Sequence, residues 1–108
     1  MQLEKEILKY INDNNNEEWV DILPFLKTKF SDPSKSQLKQ INSAISYLCK
    51  IRDTRRNLIN AKDEKYSLLG GQGLSDENPI FNFGYLLDLS CKITIEGKEQ
   101  IDRWSFES

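Results

Sequence analysis

Apolar residues recur along this chain with two different periods. Over roughly its first half they fall three and four positions apart, the spacing of one side of an α-helix; between residues 87 and 95 they fall every second position, as in a strand with one buried face. Leu3, Ile7, Tyr10 and Ile11 form the first helical stripe, with Leu8 at its margin and Glu4, Lys5, Glu6 and Lys9 on the remaining faces. This predicts an amphipathic helix of about three turns. Asparagine and aspartate fill residues 12–16 and stop it, because both prefer turns and caps to helix interiors. Pro24 decides how residues 19–30 are read. A proline costs about 3 kcal/mol deep in a helix but is tolerated in the first turn. The expectation is therefore a short extended piece at Trp19 and Val20 and then a helix over about 22–30, with Leu23, Leu26 and Phe30 inward and Lys27 and Lys29 outward.

A tight connection at residues 31–33 leads into the stretch 32–51, around which the chain is organised. Two starts are available to it. Ser34 stands three residues before Gln37, so each side chain can bond the other's backbone amide in a capping box; Asp32 followed by Pro33 would serve one turn earlier. Beyond the cap, Leu38, Ile41, Ala44, Ile45, Leu48 and Ile51 lie on one side at 100° per residue, with Cys49 at its edge. The opposite side collects Lys35, Ser36, Lys39, Gln40, Asn42, Ser43, Ser46, Tyr47 and Lys50, which carry amines, amides and hydroxyls but no carboxylate.

After residue 51 the helical period ends. Arg52, Asp53, Thr54, Arg55 and Arg56 are polar; Leu58 and Ile59, and later Tyr66, Leu68 and Leu69, predict two short strands around a charged turn at Lys62, Asp63 and Glu64. Residues 70–79 are a loop, holding three of the chain's five glycines. Leu87, Leu89, Cys91, Ile93 and Ile95 then alternate with Asp88, Ser90, Lys92 and Thr94, the pattern of a half-buried strand. Past it, Thr94 can cap a closing helix in which Ile101 and Trp104 face inward; a hairpin turning at Glu96 and Gly97 is the competing reading. No internal repeat is present.

Composition narrows what such a chain can do. At 108 residues with 38% hydrophobic and 30% charged content, it suits one domain with a modest core. No apolar run reaches membrane-spanning length, and the amino-terminal residues lack the order of a signal peptide, so the expected location is the cytoplasm. The chain has no histidine and only two cysteines, Cys49 and Cys91. That set excludes the usual zinc sites and a disulfide framework, and both thiols are expected as small buried hydrophobes. No catalytic constellation or cofactor motif appears; the glycine-rich loop has neither the Gly-Lys-Ser/Thr ending of a phosphate-binding loop nor a dinucleotide fingerprint. Charge is more informative. Residues 33–60 carry Lys35, Lys39, Lys50, Arg52, Arg55 and Arg56 against Asp53 alone, a net of +5, whereas the remaining residues net −7. A protein whose total is only −2 is thus strongly polarised.

Ile93, Thr94, Gly97 and Ile101 occur in a stretch that resembles the point at which many bacterial winged-helix proteins leave the last wing strand and enter a closing helix. The upstream order of helix, extended piece, helix, turn and longer helix is similar to the beginning of the same family. The resemblance implies a mostly α protein with a small antiparallel β wing, that is, a winged helix-turn-helix of the α+β class with three N-terminal helices. A single domain would cover 1–108, with a helical part over 1–52, a wing over 53–95 and a closing helix over 96–108. The interval from 57 to 93 exceeds an ordinary wing, so the wing would be enlarged. By position, the resemblance places Lys35, Ser36, Lys39, Gln40 and Ser43 toward the major groove of double-stranded DNA and Lys50, Arg52, Arg55 and Arg56 at phosphates. A homodimer and a role in transcription regulation follow from the same likeness. The competing function is a protein-interaction module on the same fold, using Ile80, Phe81, Phe83, Tyr85 and Trp104 as an adhesive surface on the enlarged wing and closing helix.

Overall fold

The computed structural model describes residues 2–15, 19–49, 56–62 and 89–107. In chain order these form α1 (Gln2–Asp13), β1 (Val20–Asp21), α2 (Leu23–Lys29), α3 (Lys35–Cys49), β2 (Ile59–Ala61), β3 (Ser90–Ile93) and α4 (Ile95–Glu107). The described part is thus mostly helical with one small antiparallel sheet, an α+β arrangement. The sheet order is β1-β3-β2, so the last strand is central: Val20 stands opposite Cys91, and Ile59, Asn60 and Ala61 stand opposite Ile93, Lys92 and Cys91. The strand run at Leu58 and Ile59 therefore has β3 as a partner; the other predicted strand, around Tyr66 to Leu69, lies outside the described residues, as does the glycine loop.

Local chemistry places each helix close to where the hydrophobic period does. In α1, Leu3, Ile7, Leu8 and Ile11 are buried and Tyr10 is half-buried, the stripe read from the sequence. Pro24 falls in the first turn of α2, and Leu23, Leu26 and Phe30 are buried. Asp21, which sequence reading passed over, fixes two elements at once: its Oδ1 accepts the Leu23 N–H (3.0 Å) at the start of α2 and the Leu89 N–H (2.9 Å) ahead of β3. Of the two possible starts for the long helix, Ser34 is used. The Gln37 N–H donates to Ser34 Oγ at 3.2 Å, and the Ser34 N–H donates to Gln37 Oε1 at 2.9 Å.

Two expected side-chain placements are corrected. Asn42, assigned to the polar side of the long helix, is 3% exposed. Because α3 packs against both α1 and β2, its buried arc takes in Ile41, Asn42, Ala44, Ile45, Leu48 and Cys49. That is roughly 160° of the circumference at 100° per residue, wider than one apolar stripe. Ile95, expected as the last inward residue of the strand, is 78% exposed, because the chain has already turned into α4 there. The hairpin alternative for residues 94–104 does not occur, and Ile101 and Trp104 are half-buried against the core.

The turn into α4 is held by a dense set of bonds. The Thr94 hydroxyl lies 2.8 Å from the Asn57 carbonyl and 3.0 Å from the Leu58 carbonyl, and accepts the Gly97 N–H at 3.0 Å. The Thr94 N–H donates to the Leu58 carbonyl (3.0 Å), and the Leu58 N–H donates to the Leu48 carbonyl in α3 (2.9 Å). Gly97 fits because it has no side chain: a Cβ there would stand 2.3 Å from the Leu58 oxygen and 2.7 Å from Ile93 Cγ1. Gly97→Ala is therefore expected to destabilise the fold by about 1–3 kcal/mol through overpacking, and Thr94→Val by about 1 kcal/mol or more through loss of the cap. Urea denaturation measures both; a Gly97→Ala protein as stable as the parent would show that α4 does not sit this close to β2.

Candidate nucleic-acid interface

The outward side of α3 is where the sequence-predicted site can be tested residue by residue. Lys35, Ser36, Lys39, Gln40 and Ser43 are all exposed. On the helical wheel their midpoint lies roughly 170° from the midpoint of the buried arc, so the row is as far from the core as the helix allows. Residues 35–49 contain no Asp or Glu and no Arg, and Asp32, exposed one turn earlier, precedes the cap. Ser46 and Tyr47, read as part of the same polar side, lie at the same angles further along the helix but are half-buried, so the exposed row ends at Ser43.

The second group of cations is described in part. Arg56 is exposed; Lys50, Arg52 and Arg55 lie outside the described residues. Since the Leu58 N–H is bonded to the Leu48 carbonyl, the segment carrying Arg56 sits beside the C-terminal turn of α3, whereas Lys35 and Lys39 are in its N-terminal turns. From Lys35 to Leu48 the helix rises about 20 Å at 1.5 Å per residue. The basic groups are thus distributed along the length of α3 and do not form one tight cluster at its start.

Elsewhere the surface charges compensate each other locally. Lys29 on α2 pairs with Glu6 on α1, and this contact, with a hydrogen bond from Gln2, holds the Glu6 carboxyl below the usual range. Lys9 pairs with Asp13 at 3.7 Å, and Arg103 with Glu99 at 3.7 Å. Such exposed pairs contribute little to stability; α1 and α4 carry acids of their own, whereas α3, like the shorter α2, carries none.

Two open depressions flank α1. One, of about 340 Å³, has the stacked rings of Tyr10 and Phe25 (centroids 4.9 Å apart) as its floor and the paired charges of Glu6, Lys9, Asp13 and Lys29 around it. The other, of about 250 Å³ between α1 and α4, is lined by Lys5, Lys9, Ile101 and Trp104, with Lys5 Nζ 5.8 Å from the Trp104 ring centroid. Of the predicted adhesive residues, Trp104 is the one described; Ile80, Phe81, Phe83 and Tyr85 lie outside the described residues. No described helix is long and apolar enough to cross a membrane.

The thiols contribute no reactive chemistry. Cys49 and Cys91 are both buried and form no disulfide, as expected of small hydrophobes, and burial pushes the Cys49 thiol from its usual 9.0 up to about 12. Asn42 was missed by sequence reasoning because only its packing neighbours reveal it: among the described residues neither Nδ2 nor Oδ1 has a hydrogen-bond partner. Comparison with protein-family models, with curated proteins and with solved structures found no match.

Leaving a buried amide unpaired costs about 1–3 kcal/mol, so Asn42→Leu, which keeps the same branched skeleton with bulkier methyl groups, is expected to raise the unfolding free energy by about 1 kcal/mol. A loss of stability would mean that a partner satisfies the amide. For Cys49 the sign follows from the neutral thiol being favoured by folding: the unfolded chain ionises first, and stability falls as pH rises from about 9 to about 12. Denaturation at pH 8 and pH 10.5 should show a smaller decline for Cys49→Ala than for the parent. Equal declines would mean that the thiol is not shielded.

Proposed function

We propose that this chain is a winged-helix protein that binds double-stranded DNA and acts as a regulator of transcription in the cytoplasm, by binding and not by catalysis. α3 lies in the major groove with Lys35, Ser36, Lys39, Gln40 and Ser43 toward the bases, and Lys50, Arg52, Arg55 and Arg56 meet phosphates. One observation carries this reading: an acid-free row of amines, amides and hydroxyls is exposed along the side of a 15-residue helix directly opposite the core. The element order supports it, since α1, β1, α2 and α3 follow one another with short turns and β3 passes straight into α4. The physical basis is counterion release. Each phosphate neutralised by a lysine or arginine makes log K fall against log salt with a slope of about −0.9. The acidic remainder of the chain opposes approach at long range, but beyond a Debye length of about 8 Å at physiological salt that repulsion is largely screened, whereas direct contacts made by α3 fall inside that length. The protein works as a homodimer, which doubles the modest DNA surface one module can bury.

Binding to a labelled mixed-sequence duplex across a salt series tests this. Affinity at low salt, a negative slope, and a slope shallower by about one for each of Lys35→Ala, Lys39→Ala and Arg56→Ala are expected. Absence of duplex affinity at low salt, or a triple variant that binds as the parent does, would overturn the reading.

A second reading, a protein-interaction module, is favoured by the half-exposed Trp104 in the depression between α1 and α4. Its signature is different. Trp104→Ala would then abolish an oligomer seen by sedimentation, and duplex affinity would be absent in the parent as well as the variant.

A further inference from the structure

The long helix carries three carboxamide side chains, and the structure assigns each a different fate. Gln37 is engaged at the cap: its Oε1 accepts the Ser34 N–H while its own N–H is held by Ser34 Oγ. Asn42 is turned into the interior and cannot reach solvent. Gln40 is exposed, as Gln37 is, but it takes no part in the cap, and no hydrogen bond from another described residue occupies it. Its neighbours three and four positions away are Ser36, Gln37, Ser43 and Ala44, and the exposed serines on either side of it are short enough to leave the backbone free to approach a groove floor. No Arg is present on α3 to make a two-pronged contact with guanine, and no Asp or Glu is present to accept from the cytosine amino group.

Resting on the reading of α3 as a groove-facing helix, we infer that the target of this protein is a duplex with an A·T pair opposite the second turn of α3, and that Gln40 is the specificity-determining residue. The chemistry is directional. A carboxamide donates through Nε2 to adenine N7 and accepts through Oε1 from the adenine N6 amino group, a pair of bonds that guanine cannot reproduce because it presents O6 in place of the N6 amine. Lys35 and Lys39, as compact point charges with three rotatable donors, attract phosphate or a guanine acceptor without fixing an orientation. The lysines therefore contribute affinity, and the one available carboxamide contributes sequence discrimination.

The test is selection of bound duplexes from a randomised pool with the parent protein, followed by affinity measurements on the enriched duplex. An invariant adenine is expected. Replacing that adenine by 7-deazaadenine, which lacks the N7 acceptor, and making Gln40→Ala should each weaken binding about ten-fold to about a hundred-fold, and the two together should weaken it no further than either alone. Gln40 is exposed, so the variant should unfold at the parent's temperature, and Lys39→Ala should weaken all duplexes alike. If duplexes bind but none is enriched, or if Gln40→Ala lowers affinity equally for A·T and G·C versions of the site, this inference is wrong while DNA binding stands. If no duplex binds at all, the proposed function itself fails.

Discussion

The backbone of Leu58 is the point on which the described elements converge. Its N–H is bonded to Leu48 in the last turn of α3, and its carbonyl receives both the amide and the hydroxyl of Thr94 at the mouth of α4. Three elements distant in sequence are thereby tied through a single residue that is itself fully buried. Each such bond contributes only about 1 kcal/mol net, but a buried carbonyl or amide left without a partner costs more than a bond gains. Thr94, Gly97 and the strand ahead of them therefore have little freedom to vary one at a time. The short threonine-to-glycine spacing seen in the sequence has this geometry as its cause: the hydroxyl must reach back to one strand while the glycine admits that strand's oxygen where a Cβ would sit.

This junction also governs what α3 can present. Closing β2 and β3 behind the helix, with α1 packed beside it, consumes close to half of its circumference and buries even Asn42. What is left outside is a row of small and basic polar groups. α1 and α4 differ, since each carries both signs of charge and pairs some of them within the helix, while the acid-free α2 pairs Lys29 with Glu6 of α1. α3 is thus a helix anchored from behind with a non-acidic front, the side on which the proposed function rests.

The depressions beside α1 have a different character. Their floors are aromatic and their rims are charged, but around Tyr10 and Phe25 lysines and carboxylates occur together, so the field there is weak. At Trp104 the lysine lies over the ring itself, and part of its charge is already spent on the aromatic face. Polarisation of the molecule thus arises from α3 and its basic neighbour Arg56 more than from any cavity.

Much of this could be read from the chain alone, wherever the deciding interaction lies within one turn of helix or one strand. The stripes of α1 and α2, the place of Pro24, the reciprocal Ser34 and Gln37 cap, the alternation of Leu89, Cys91 and Ile93, and the exposure of Lys35 to Ser43 are all settled by neighbours three or four positions away. Tertiary structure decided what depends on a second element. It set the pairing of β2 with β3 across nearly thirty residues, the double role of Asp21 and the turn that exposes Ile95. It also set the burial of Asn42, which no single helical wheel can show because the arc it belongs to is fixed by two packing partners, α1 and β2. The site divides in the same way. Which side chains line the outer row of α3 follows from helical period, but that Gln40 is the carboxamide engaged by neither the cap nor the core follows only once those two have claimed Gln37 and Asn42.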